Sequence, residues 1–390
     1  MSIAKEEDAL ALMIGASRVG DFFARVYERE ALIVPHNDPR RFADLLSIDA
    51  IDARIAGHDL HAGDIDLANA ANPVDREKYI GSDGLADRGV IAREYQLGST
   101  IILQQLHEAD ERLAAFTRRV EDVFSCHVQT NIYLTPPSAQ GFRTHYDNHD
   151  VFVLQVEGKK HWRLYDVPVS APYRGEGFSA KTHPAGELKQ EFTLEAGDCA
   201  YVPRGMMHDA QTAGDGPSLH ITVGLIVKTW ADLMLEAVSE VALAHPGFRQ
   251  SLPPGFARNG FDRAAAQAHF TALAKAIASD AQMDAAFDLM VDGYIRSRAP
   301  DNRFAIVDAA RPITPADRFA LRGMTPWRMA DDEDNLVLIA PGGDLDCKPT
   351  ERAAIERALS GAAFTQADLP EGAEPDLLQR LLAFGLVARV

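Results

Sequence analysis

From Cys126 to about Val227 the chain is cut into short apolar stretches by glycine and proline turns, and this punctuation narrows the possible folds sharply. Short strands at close spacing, with no long helix between them, predict an antiparallel double-sheet barrel of the jelly-roll type. One hairpin is explicit: Asp150 to Glu157 alternates as a strand, Glu157-Gly158 makes a tight turn, and Lys159 to Tyr165 returns. Further on, Gly197-Asp198 turns into the apolar strand Cys199-Ala200-Tyr201-Val202, and Pro203 to Gly205 turns again just before His208.

Two places in this stretch carry side chains that a metal would take. His145-Tyr146-Asp147 offers an imidazole and a carboxylate at i and i+2, and His208 follows 61 residues past Asp147. On a strand, residues i and i+2 point to one side, so His145 and Asp147 share a face while Tyr146 points away. Two histidines and one carboxylate occupy one face of an octahedral ion and leave the other face open, as non-haem Fe(II) oxygenases require. A bare His-x-Asp with a distant His is weak by itself; here both halves sit in matching strand-and-turn text. His149 is close in sequence and is read as a neighbour, not a fourth ligand.

The text Asn131-Ile-Tyr133-Leu-Thr135-Pro136-Pro137, then Gly141-Phe-Arg-Thr-His145-Tyr-Asp147 and Gln155-Val-Glu-Gly158-Lys-Lys160-His-Trp162-Arg-Leu-Tyr165, resembles the JmjC-type ribosomal oxygenases of the cupin superfamily. The likeness runs over most of the chain, from the Phe22-Phe23 to Val34 region to the tail. It implies Fe(II), 2-oxoglutarate and O₂ as reactants, and hydroxylation of a His or Arg side chain in a ribosomal protein. Carried over by position, His145, Asp147 and His208 match the iron ligands. Lys160, fifteen residues after His145, matches the base that pairs with the far carboxylate of 2-oxoglutarate. A dicarboxylate in an apolar barrel needs such a cation. If Trp162 and Leu164 face inward, strand parity puts Lys160 with them and Lys159 outside. Thr222 matches a hydroxyl that assists the same carboxylate, and Asn131 and Tyr133 match positions that contact the substrate. The family's substrate-contacting serine on the last barrel strand stands here as Gly224, which puts the identity of the hydroxylated residue in doubt.

Composition sets the remaining bounds. At 390 residues and 46% hydrophobic content the chain has room for two or three packed domains. No run approaches twenty apolar residues, and residues 1–8 are acidic where a signal peptide would be basic and apolar. Cys126, Cys199 and Cys347 are far apart without metal-knuckle spacing, which fits a reducing cytoplasm. A net charge of −18 disfavours direct binding of nucleic acid and suits a basic protein or peptide, and equally a surface kept acidic for solubility.

The expected organisation is α+β. Residues 1–228 form a JmjC/cupin catalytic domain with an N-terminal helical extension, its barrel core, a double-stranded β-helix, spanning about 126–227. Residues 229–325 form a helical region, where the resemblance implies homodimerisation, and 326–390 a winged-helix-like domain. Helices are expected over Glu108 to Val123, Trp230 to Val241, Ala264 to Ile277 and Ala285 to Arg296. In the tail, Leu336 to Ala340 reads as a strand. Thr350 to Leu359 reads as a helix capped by Thr350, and Pro375 to Phe384 as one closed by Gly385. Residues 326–390 carry twelve acidic and six basic side chains, so a DNA-reading role is not expected. Three other functions remain open beside the ribosomal oxygenase. One is the same chemistry on another protein or a peptide natural product; another is a non-catalytic metal-binding cupin scaffold; the third is a metal cupin of the isomerase or dioxygenase type that uses no 2-oxoglutarate.

Overall fold

The computed structural model describes residues 8–390 except 174 and 333; residues 1–7, which bear on the expected lack of a signal peptide, lie outside the described set. The chain divides into two compact units, Met1–Val227 and Lys228–Val390. No helix among the described residues is long and apolar enough to cross a membrane.

The first unit is built on two antiparallel sheets. The strands are β1 (Leu32–Val34), β2 (Ile65–Ala68), β3 (Thr100–Leu103), β4 (His127–Thr135), β5 (Asp150–Glu157), β6 (Lys159–Tyr165), β7 (Leu188–Glu195), β8 (Cys199–Val202), β9 (His208–Ala213) and β10 (Ser218–Ile226). Seven of them pair in the order β1-β8-β5-β10-β4-β3-β2, and the other three as β7-β6-β9. This is the expected jelly-roll.

Alternation along each strand decides what lies on either side of the large sheet. Phe152, Leu154, Cys199, Tyr201, Ile221 and Val223 turn to the helical layer, where Leu10, Met13, Phe22, Phe116 and Val120 complete the main core. Val151, Val153 and Ala200 turn the other way and meet Trp162 and Leu194 of the small sheet. The helix Glu111–Phe124 begins where Asp110 accepts hydrogen bonds from the Arg112 and Leu113 amides, and it buries Leu113, Phe116 and Val120.

The β5–β6 hairpin turns at Gly158, whose φ is +68° and whose missing Cβ would stand 2.0 Å from the Pro217 carbonyl oxygen. Any side chain there meets both a left-handed backbone and a blocking carbonyl. Gly158→Ala is therefore expected to lower unfolding stability by about 3 kcal/mol, near the top of the range for single substitutions. Urea denaturation checks this; a change below measurement error would mean the turn readily relaxes.

In the second unit, helices span Trp230–Ala244, Ala264–Asp280 and Met283–Ser297, close to their expected limits. Thr229 caps the first, its hydroxyl accepting from Asp232 N while Asp232 accepts from Thr229 N. The tail holds β11 (Phe319–Leu321), β12 (Arg328–Asp332), β13 (Asn335–Ala340), β14 (Gly343–Cys347) and β15 (Val387–Arg389), with β12-β13-β14 in one sheet and β11 against β15. The helices Arg352–Ala358 and Leu377–Ala383 pack on this sheet through Ile355, Leu378 and Leu381. One expectation is corrected here. Thr350 is not the cap, because the turn starts earlier at Pro349, whose fixed φ suits a first helical position. Lys348 takes the capping place, its amide donating to Glu351 Oε2 at 2.9 Å.

Candidate metal centre

His145, Asp147 and His208 converge: one ligand atom from each lies within 4.8 Å of the others. Asp147 Oδ1 is 3.9 Å from His145 Nε2, and its Oδ2 is 3.7 Å from His208 Nε2. In both imidazoles the other nitrogen is occupied. His145 Nδ1 is 2.9 Å from the Arg143 carbonyl oxygen, and His208 Nδ1 is 3.0 Å from that of Met206. Donation to a carbonyl leaves each Nε2 as a lone pair aimed at the shared point, the state a metal requires. Burial raises the Asp147 carboxyl, but His208, His145 and His149 outweigh it and hold the carboxyl below its usual range. Burial pushes the His208 imidazole below its usual range and His145 adds to this, outweighing Asp147 and the Met206 carbonyl, which raise it.

The backbone also fixes the triad, in a way that departs from expectation. His145 and Asp147 lie on a loop, not on a strand. Its ladder is one bridge long: His145 N donates to His208 O at 3.0 Å and His208 N to His145 O at 2.7 Å. Pairing stops there because the Asp147 carbonyl is taken by Gly205 N, at 2.9 Å, in the turn before His208. Tyr146 does point away, its hydroxyl donating to the Glu176 carbonyl at 2.9 Å.

Two ionic networks, unread in the sequence, clamp the ligand-bearing segments. Asp209 is buried and accepts from Thr144 Oγ1 at 2.6 Å, Arg163 Nε at 2.7 Å and Tyr165 at 2.9 Å, tying β9 to the residue before His145. Asp150, wholly buried, accepts from Tyr201 at 2.6 Å and Arg204 Nη1 at 2.5 Å, tying the start of β5 to the turn before His208. Their signal was available only as charged residues among apolar neighbours.

A cavity opens onto the triad. Lys160, Thr222 and Tyr133 line it with the three ligands, and so do His220, Thr100 and Trp162. Lys160 is inward with Trp162 and Leu164, and Lys159 is exposed. Its ammonium donates to Thr135 Oγ1 at 3.0 Å and lies 3.4 Å from His220 Nδ1. Among the described residues no carboxylate pairs with it, and burial draws its pKa down to about 7. His220 stacks flat on Tyr133 with ring centres 4.7 Å apart. Burial and then the Lys160 charge push its pKa well down, so it accepts from the ammonium. Asn131 is placed differently from its neighbour: it does not line the cavity, and its amide oxygen accepts from Gln105 N at 3.2 Å.

Three ligand atoms converging on one point and a buried cation lining the same cavity define a jelly-roll site fit for a metal ion, with room for an anionic co-ligand. Residues 103–233 match the JmjC domain family. Among curated proteins it is similar to ribosomal oxygenase 1 of Gallus gallus, at 36% identity over 241 residues, 60% of this chain and 40% of that protein. It is also similar to the bifunctional lysine-specific demethylase and histidyl-hydroxylase NO66 of Culex quinquefasciatus, at 33% over 250 residues, 62% and 38% of the two chains. The chain thus spans about two fifths of the length of these relatives. Among solved structures it resembles Escherichia coli YcfD, with a TM-score of 0.56 at 16% identity over 95% of this chain and 98% of that one. Another structure of YcfD, a complex with cobalt and 2-oxoglutarate, aligns with a TM-score of 0.53 at 16% identity over 95% and 97%. At this identity the likeness is one of fold.

Proposed function

We propose that this protein is an Fe(II)- and 2-oxoglutarate-dependent oxygenase that hydroxylates a His or Arg side chain of a ribosomal protein. The observation that carries the reading is the pairing of the triad with Lys160 in one cavity. A buried ammonium without a carboxylate is costly, and a dicarboxylate bridging metal and lysine relieves that cost. A scaffold with no co-substrate has no use for this arrangement. The names of the relatives, ribosomal oxygenase and histidyl-hydroxylase, and the cobalt and 2-oxoglutarate bound by YcfD agree with it.

In this reading His145, Asp147 and His208 hold the ion. When bound there with 2-oxoglutarate, Fe(II) supplies O₂ activation: the co-substrate becomes succinate and CO₂, taking one oxygen atom, and the other enters a substrate C–H bond. Lys160, with Thr135 and Thr222 beside it, fixes the far carboxylate and so orients the keto-acid end toward the triad. His220 keeps Lys160 in place by accepting from it. Val151, Val153 and Trp162 keep the cavity walls apolar and limit water near the reacting carbon. Tyr133, backed by Asn131, orients the substrate at the mouth. The helical segment 229–325 serves a homodimer and 326–390 is a winged-helix-like module for protein contacts. The acidic surface favours a basic partner in the cytoplasm.

The test is succinate formation by the Fe(II)-loaded protein with 2-oxoglutarate, O₂ and a panel of ribosomal-protein peptides, each peptide weighed for one added oxygen. Turnover coupled to one peptide is the expected result. Succinate without peptide oxidation would keep the chemistry and move the target to another protein or a peptide natural product, a second reading that Gly224 favours. Metal binding with neither product would leave a non-catalytic cupin.

A further inference from the structure

Gly224 sits within the nine-residue strand β10, where a glycine costs stability and leaves a gap in packing. Its backbone gives no reason for it, since it is absent from the residues with positive φ. The reason is space. A Cβ at this position would stand 2.7 Å from His149 Cδ2, 2.8 Å from His149 Nε2 and 3.3 Å from Gln129 Cγ. The imidazole of His149 rests on the bare backbone of Gly224 and occupies the place a side chain there would take.

That place matters because of its neighbours. Val151 and Val202 are in register with each other, Val151 is opposite Gly224, and both line the cavity. Thr222, two residues back on the same face, lines it too. His149 is two residues from Asp147 on the ligand loop, half-buried, and close enough to act on that carboxylate. On the same face Gln129 is opposite Gly224 and Asn131 opposite Thr222. His149 Nδ1 is 3.3 Å from Asn148 Oδ1, which leaves Nε2, beside Gly224, as the ring's other polar atom.

We infer that His149, seated on Gly224, is the specificity-determining residue of this site, hydrogen-bonding a polar, nitrogen-bearing side chain of the substrate as it enters. The inference rests on the oxygenase reading and adds to it the group that selects the target. A planar ring supplied by the ligand loop replaces a side chain of the strand, so selection and metal position come from one segment.

The test uses the full-length Fe(II) protein and two synthetic peptides, one with a central His and one with a central Arg, both drawn from basic ribosomal sequences. His149→Ala is expected to raise the KM of the accepted peptide roughly tenfold, the scale of one lost hydrogen bond. It is also expected to increase succinate formed without peptide oxidation, while cobalt affinity measured by calorimetry changes far less. His149→Asn, which keeps a planar polar group, recovers part of the loss. Gly224→Ala displaces the ring and reproduces the His149→Ala phenotype, and in the double variant it adds nothing further. Unchanged KM and coupling in His149→Ala would overturn the inference, as would independent, additive effects of the two substitutions. Should Gly224→Ala fold poorly, His149→Ala and His149→Asn decide alone. An unaltered protein that oxidises neither peptide while consuming no 2-oxoglutarate removes the oxygenase reading, and this inference with it. An active protein with indifferent variants removes only the inference.

Discussion

His208→Ala abolishes succinate formation and weakens metal binding by about 100-fold or more, since even outer partners of a metal ligand are worth 10–100-fold. The loss is expected to be confined to chemistry. His208 supplies one of three ligand atoms within 4.8 Å, but its backbone bridge to His145 does not depend on the imidazole. The variant should therefore melt close to the unaltered protein once both are free of metal. Calorimetric titration with Co(II) and a coupled succinate assay measure the two halves of this result. Retention of tight binding and turnover would remove His208 from the ligand set and with it the reading of the site.

Lys160→Met produces two effects of opposite sign. Affinity for 2-oxoglutarate falls by about 3 kcal/mol, roughly 100-fold, because a charge-assisted bond to the far carboxylate is lost. Stability of the ligand-free protein rises, because a buried ammonium with no carboxylate beside it gives way to an apolar chain of similar length. The pH dependence follows from a pKa drawn down to about 7 in the fold against an ordinary 10.5. Between these values the unfolded chain binds more protons than the folded one, so the ligand-free protein gains stability as pH rises through that window. In Lys160→Met that gain disappears. Ligand binding runs the other way: the far carboxylate restores the proton on Lys160, so affinity for 2-oxoglutarate weakens as pH rises above 7 and binding takes up a proton. Titration calorimetry in two buffers of different ionisation heat at pH 8 reads the uptake directly. An affinity independent of pH in this range, with no uptake, would remove Lys160 from the carboxylate site.

What could be read in the sequence was what depends on local spacing. Gly158 fixes the hairpin, the hairpin fixes strand parity, and parity alone separates buried Lys160 from exposed Lys159. The His-x-Asp pair and His208 were readable for a similar reason, since their turn residues stand beside them in the chain. What escaped depends on contacts between distant segments. The Asp209 clamp joins residues 144, 163 and 165 to 209, and nothing near Asp209 announces three donors. The seat of His149 on Gly224 spans 75 residues, and from sequence the glycine reads only as a departure from a pattern. The loop at His145–Asp147 was misread because i and i+2 share a side on a strand and can also converge in a bent loop. The cap at Lys348 was missed because a proline at the first helical position moved the start back by two residues.

The strand order of the large sheet has a consequence for synthesis. β10 is the last strand of the first unit to leave the ribosome, yet it lies at the sheet's centre, between β5 and β4. Until residues 218–226 arrive, those two strands present unpaired edges to each other across an open gap, and His220 and Thr222 are missing from the cavity. The nascent domain thus remains incomplete until its final strand is inserted. Closing the sheet also needs β1 at residues 32–34 to find β8 at 199–202, a non-local pairing of the kind that slows folding. The strand that completes the cavity is also the strand that completes the large sheet.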